Sequence, residues 1–261
     1  MVFDFLGLEN ASPEVFGPKH ITGMLVAFAV IAALLVLLFT VFRKHDHGRV
    51  LKITAIFLLF LEACKYTYAF VVYGYFPLHF IPMQLCSFSL YLMPIIAFSK
   101  GTVRRFFLPT TFAVSLLAGL ITLAYPATVL GGPYGWEMIT ENILPYISFA
   151  YHGTMIFFSL YLLFSREYQP EAKDYPIAYG TLISFGLMAI VTNAMFDTDM
   201  MFLNTGNGSP FQFILTDMGR GVYMVFMFAI AAILLLFPFL PSLIRKAFAA
   251  GRVQTKATAK D

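Results

Sequence analysis

The chain has 261 residues, of which 59% are apolar and only 12% charged. Soluble globular domains carry about a quarter charged residues, so this composition excludes an ordinary water-soluble fold. The net charge of +3 does not mark a nucleic-acid-binding protein, because the basic residues are parcelled into alternate loops instead of one patch.

Residues 1–19 are acidic at Asp4, Glu9 and Glu14 and broken by Pro13, Gly17 and Pro18. They lack the basic start and the small-residue cleavage site of a secretory signal. They read as a short external segment that folds over the mouth of the protein. Seven apolar stretches follow, at 20–42, 50–74, 79–98, 106–126, 142–164, 176–196 and 213–240. Each is near or above the ~20 residues a helix needs to cross a bilayer. In hydrocarbon each backbone N–H and C=O must find its partner within the segment, which predicts helices. The expected fold is all-α: a single seven-helix membrane domain over 1–261.

The connecting loops alternate in charge. Arg43, Lys44, Arg49 and Lys52 separate spans one and two. Lys100, Arg104 and Arg105 separate three and four, and Arg166 and Lys173 separate five and six. Arg245, Lys246, Arg252, Lys256 and Lys260 mark the tail over 245–261. These are 14 of the 17 basic residues. Positive charge stays on the cytoplasmic side, so the N-terminus is predicted outside and the C-terminus inside. The expected location is the cell membrane, with multiple passes. The basic tail reads as a solvated anchor near anionic headgroups.

Cys64 and Cys86 are the two cysteines, both inside spans, and imply no disulfide framework. Two external loops are longer than a turn requires. Residues 127–141 hold the lone Trp136, which reads as an interfacial anchor. Residues 196–211 hold Asn204, Gly206 and Gly208, residues suited to tight turns. Asp197, Asp199 and Asn204 supply oxygens for a hard cation but lack EF-hand spacing, so a plain structured lid is preferred and no metal or cofactor is expected.

Ionisable groups inside a membrane are costly and usually face the bundle interior. Glu62 and Lys65 sit at i, i+3 in span two, with Tyr66 one turn beyond Glu62. Span three carries His79, Gln84, Cys86, Ser87 and Ser89, and as a helix it would put His79, Met83 and Cys86 on one face. Span five carries Ser148 and His152, span six Thr192 and Asn193, and span seven Asp217 and Arg220 at i, i+3. All fall in the middle or outer half of their spans, which predicts a polar cavity opening outward. A pore would need polar lining along its whole length.

Glu62–Lys65 and Asp217–Arg220 also fit structural ion pairs, Asn193 an interhelical hydrogen bond, and a lone thiol a small apolar filler. Taken together, Cys86 and His152 at similar depth supply the minimum for an activated nucleophile.

The run from Phe80 to Pro94, containing Pro82, Leu85, Cys86 and Ser87, resembles a signature of the YwaF-like integral membrane proteins, which include the transmembrane protein 164 group. Tyr151-His152-Gly153 looks like the second signature of that family. Asn193, the run Asp199–Asn204 and the run Gly206–Phe211 look like its third. The resemblance implies a multi-span lipid enzyme, the eukaryotic group being associated with acyl transfer to ether phospholipids through a Cys-linked acyl intermediate. Carried over, Cys86 is the nucleophile and His152 the general base. The family pattern places His where this chain has Gln84.

The expected reaction is lipid acyl transfer, or lipid hydrolysis if water accepts the acyl group, with membrane lipids as partners. Gln84, Ser87 or Asn193 would donate to the oxyanion, and Lys65 or Arg220 would hold the phosphate. The competing class is a small-solute carrier or ligand-binding membrane protein whose polar site is Glu62, Lys65, Asp217 and Arg220. A carrier needs a polar route through the inner half of the bundle, where these spans are nearly all apolar. A retinal photoreceptor is excluded, because the seventh span has Arg220 and no lysine for a Schiff base.

Overall fold

A computed structural model describes residues 16–125, 142–206 and 211–245. The expectations for residues 1–15, for the loop around Trp136 and for the tail beyond 245 lie outside the described residues. Among the described residues the chain is all helical, with eight α-helices. They are α1 (Pro18–Val36), α2 (His47–Tyr73), α3 (Phe88–Phe98), α4 (Gly101–Ala124), α5 (Leu144–Phe164), α6 (Tyr175–Phe196), α7 (Gln212–Met218) and α8 (Arg220–Leu236). A π-helical turn, Leu37–Val41, prolongs α1.

Six helical segments are long and apolar enough to cross a membrane: Pro18–Val41, His47–Tyr73, Gly101–Ala124, Leu144–Phe164, Ala172–Phe196 and Arg220–Arg245. The chain is a multi-pass membrane protein. These spans match six of the seven apolar stretches to within a few residues at most ends.

The third stretch differs. Its helix covers only the 11 residues Phe88–Phe98, about 16 Å at 1.5 Å per residue, half the hydrocarbon thickness. Residues 81–87 are not helical. Pro82 has no N–H to donate and turns the residue before it away from helical backbone. Ile81 accordingly sits at φ −51°, ψ 126°. His79, Met83 and Cys86 therefore do not share a helical face.

The seventh stretch also breaks, at Gly219 with φ 83° and ψ 166°, a conformation that residues with a Cβ avoid. Asp217 ends up on α7 and Arg220 at the start of α8. Both are exposed, and among the described residues no ion pair joins them.

Local signals set the helix ends. Asp46 caps α2, its carboxylate accepting from the N–H groups of Gly48 at 2.9 Å and Arg49 at 3.3 Å. Gly74 closes the helix at φ 72°. Prolines open α1, α5 and α6, where their missing N–H costs nothing.

The centre of the bundle is α5, which packs against α4, α2 and α1. Gly119 of α4 makes the closest of these approaches possible. A Cβ there would lie 2.7 Å from Ile156 Cγ1 and 2.9 Å from the carbonyl oxygen of His152. Small polar side chains tie the helices together, as they do where apolar burial gives no preference for protein over lipid. The Ser89 and Ser115 hydroxyls pair at 2.8 Å between α3 and α4. Ser159 donates to Phe112 O at 3.1 Å between α5 and α4. Tyr175 and Tyr179 of α6 donate to Ala232 O and Phe228 O of α8.

Helix α1 is exposed along much of its length and held at both ends by histidines. His20 accepts from Phe16 N at Nδ1 and donates from Nε2 to Leu123 O at 2.8 Å. At the other end His45 Nδ1 donates to Phe42 O, so its Nε2 accepts from the Tyr161 hydroxyl at 2.6 Å. The same oxygen accepts from His47 Nδ1 at 2.6 Å. Beyond α5, the Tyr168 hydroxyl donates to Asp174 at 2.9 Å, and burial together with that carboxylate pushes its phenol up.

Candidate functional site

The non-helical segment 81–87 carries Cys86, and its surroundings come from α2 and α5. On α2 the Lys65 ammonium lies 2.5 Å from Glu62 Oε1, and Glu62 is buried at 6% exposure. Lys65 is half-buried between rings, 5.0 Å from the centroid of Tyr66 and 5.2 Å from that of Phe80. The Tyr66 hydroxyl neighbours Glu62 without reaching hydrogen-bond geometry. Cys86 is half-buried against the central core, which includes Leu61 and Tyr151, and the Ser87 hydroxyl stands beside its sulfur. Lys65 is the cation whose charge acts on His79, Cys86 and His152 alike. The ion pair expected in span two is therefore formed.

His152, 4% exposed, lies eight residues into α5. Its Nδ1 is 2.7 Å from Ser148 O and 3.2 Å from Ser148 Oγ. A carbonyl only accepts, so Nδ1 carries the proton. Nε2 is then a bare lone pair, buried and without a protein partner among the described residues. A helical backbone carbonyl thus fixes the tautomer of a potential base. The close approach at Gly119 fixes the backbone that carries it. No hydrogen bond joins Nε2 to Cys86 Sγ among the described residues.

The remaining predicted residues divide. Gln84 is committed elsewhere: its Oε1 accepts from Met201 N at 2.7 Å and its Nε2 points at Met200 Sδ, 3.6 Å away. Asn193, 3% exposed, grips the same turn. Its Oδ1 accepts from Met200 N at 2.6 Å and from Thr198 Oγ1 at 3.0 Å, and its Nδ2 donates to Met200 O at 3.1 Å. Both amides are oriented by this turn, each with its oxygen and one N–H of its NH2 group engaged there. Together they dock the turn Met200–Phe202 against the segment that bears Cys86.

That turn is tight, with Met201 and Phe202 at φ 57° and 58°, and the Tyr223 hydroxyl pins it by donating to Phe202 O at 2.7 Å. Asp199 is used internally, accepting from Asn204 N, Thr205 N and Thr205 Oγ1. This part of the 196–211 lid is a structured turn. Among the described residues no cluster of metal ligands occurs.

Arg220 is not part of the assembly. Its helix packs on α7, α6 and α4, and the side chain is exposed. Among the described residues no ion pair or hydrogen bond joins Asp217 or Arg220 to Glu62 or Lys65. A groove of about 520 Å³ opens elsewhere, between α4 and α6, with apolar walls including Phe106, Ile177 and Phe185.

A non-helical segment bearing a thiol, a part-buried ion pair and an imidazole poised as an acceptor occupy the stretch matched by one family profile. The profile of the TMEM164 family matches residues 15–240. The chain belongs to the TMEM164 family. No curated protein and no solved structure matches it. In this member of the TMEM164 family, Tyr151 stands out in the sequence only as part of the signature Tyr151–Gly153, with no role of its own. It is 6% exposed, its ring centroid lies 5.4 Å from that of His152, and its hydroxyl has no partner. A tyrosine in an apolar helix gives little warning of this. The available signals were its place in that signature and its adjacency to His152.

Proposed function

We propose that this chain is a cell-membrane lipid acyltransferase in which Cys86 is the nucleophile and His152 the general base. The observation that carries the reading is the bare, buried Nε2 of His152, held as an acceptor by Nδ1–H donation to Ser148 O. A lone pair kept from water and from protein partners inside a membrane bundle is a destabilising arrangement unless a proton donor from thiol or substrate completes it. The non-helical segment at Cys86 supports the same reading. Irregular backbone at membrane depth is tolerated only where protein encloses it, and functional sites are where such interruptions concentrate. Membership of the TMEM164 family is consistent with both.

In this scheme the chain passes the membrane seven times, the third pass being completed by residues 78–98, with the N-terminus outside. The acyl ester of a membrane lipid lies at Cys86, with its phosphate near half-exposed Lys65. His152 Nε2 takes the thiol proton, the sulfur attacks the carbonyl carbon, and the leaving alkoxide recovers the proton from His152. A second lipid then takes the acyl group from sulfur. Water in its place would make the protein a lipid hydrolase.

The test is covalent capture. The full chain in liposomes with alkyne-tagged phosphatidylcholine should acquire a hydroxylamine-sensitive acyl label, absent from Cys86→Ala and strongly reduced in His152→Ala. Label that persists in Cys86→Ala removes Cys86 from the role. A fatty acid product with no acylated lipid identifies the hydrolase.

A further inference from the structure

The thioester-forming step needs a donor for the carbonyl oxygen as it becomes an oxyanion. Several polar groups lie around Cys86. The amide of Gln84 is oriented by Met200 and Met201, that of Asn193 by Met200 and Thr198, and the Ser87 hydroxyl stands beside the sulfur itself. The Tyr66 hydroxyl stands beside the Glu62 carboxylate, a competing acceptor. The Tyr91 hydroxyl already donates to Pro82 O at 3.1 Å.

Tyr151 is different. It belongs to the same buried core that Cys86 packs against, is 6% exposed, and its O–H has no acceptor among the described residues. The ionisable groups acting on that hydroxyl are Cys86, Glu62, Tyr66 and Tyr91, Cys86 most strongly. A buried hydroxyl without an acceptor costs about 1–3 kcal/mol. Such a cost is typical of a group whose partner arrives with the reaction.

We propose that the Tyr151 hydroxyl is the oxyanion donor of this site, hydrogen-bonding the ester oxygen as it takes negative charge. The assignment rests on the Cys86–His152 reading above. As the sulfur–carbon bond forms, the carbonyl π pair moves onto oxygen, while the thiol proton passes to His152 Nε2. Tyr151 keeps its proton and contributes one hydrogen bond to the oxyanion. When the tetrahedral carbon collapses, the pair returns, the carbon–oxygen bond to the leaving alcohol breaks, and His152 gives that oxygen its proton. Tyr151 immediately precedes His152 in the helix, so α5 delivers base and oxyanion donor from consecutive residues.

The experiment uses the full-length protein in detergent micelles with two reagents. One is 4-nitrophenyl laurate, whose reaction passes through an oxyanion. The other is iodoacetamide-alkyne, which alkylates Cys86 without forming one. Tyr151→Phe should lower kcat for acylation by about 100- to 1,000-fold, the usual loss on removing one oxyanion donor. KM should change little, alkylation of Cys86 should continue at the wild-type rate, and the melting temperature should be unchanged or higher.

Acylation by Tyr151→Phe at the wild-type rate would overturn the proposal. So would a parallel fall in acylation and alkylation, which would mark Tyr151 as a packing residue. If the wild-type protein is alkylated at Cys86 but never acylated, the parent reading fails and this assignment falls with it. That outcome is recognisable because it appears before any substitution at Tyr151.

Discussion

Replacing Gly119 with Ala tests how the bundle positions its base. A Cβ at this position meets Ile156 Cγ1 at 2.7 Å and His152 O at 2.9 Å. Neither atom is the free end of a flexible side chain, so α4 and α5 must part. Overpacking of this kind costs about 1–3 kcal/mol, offset by the roughly 1 kcal/mol by which Ala outranks Gly in a helix.

Gly180→Ala on α6 is the matched control, because a Cβ there meets nothing within 4 Å. The helix-propensity gain is common to both variants and cancels in their difference. Gly119→Ala should therefore melt below Gly180→Ala by an amount worth about 2 kcal/mol, or roughly 4–8 °C for a chain of this size. Thermal unfolding followed by a thiol-reactive dye reads the difference. Because the displaced carbonyl belongs to His152, Gly119→Ala should also slow Cys86 acylation, by about 100-fold for a 1 Å shift. Equal melting temperatures and equal acylation rates for the two variants would refute the reasoning.

Asn193→Ala should destabilise the protein by about 2–3 kcal/mol, since it leaves the Met200 N–H and the buried Thr198 hydroxyl without their acceptor. Limited proteolysis should then cut within 197–206 first, and resistance equal to wild type would argue against the clamp. Tyr161→Phe removes the oxygen shared by His45 and His47 and should cost about 1–2 kcal/mol. Hydrogen exchange of residues 43–49 should rise while that of α6 and α8 stays constant. A uniform rise would show that the histidines do not anchor this loop specifically.

Much of this protein is written in its composition and order. A run such as 144–164 or 176–196 has nowhere to place its backbone polar groups in lipid except its own helix, so spans and their bounds follow without tertiary information. The same scarcity of polar side chains made Glu62, Lys65, Cys86 and His152 stand out, and the i, i+3 pairing of Glu62 with Lys65 is a local property of one helix.

Other features depend on contacts between distant segments. Pro82 signals a disturbance, but only packing decides that 81–87 leaves the helix while Pro94 and Pro109 remain inside theirs. Gln84 and Asn193 looked like free donors, and their amides are held by a turn more than a hundred residues from Gln84. Arg220 looked like a partner for Asp217 until Gly219 turned the chain between them. His152 acquires its tautomer from a carbonyl one turn back, yet its burial comes from the approach of α4. Hydrocarbon solvation selects helices residue by residue, whereas which buried polar atoms are satisfied and which are left for a substrate depends on how those helices meet.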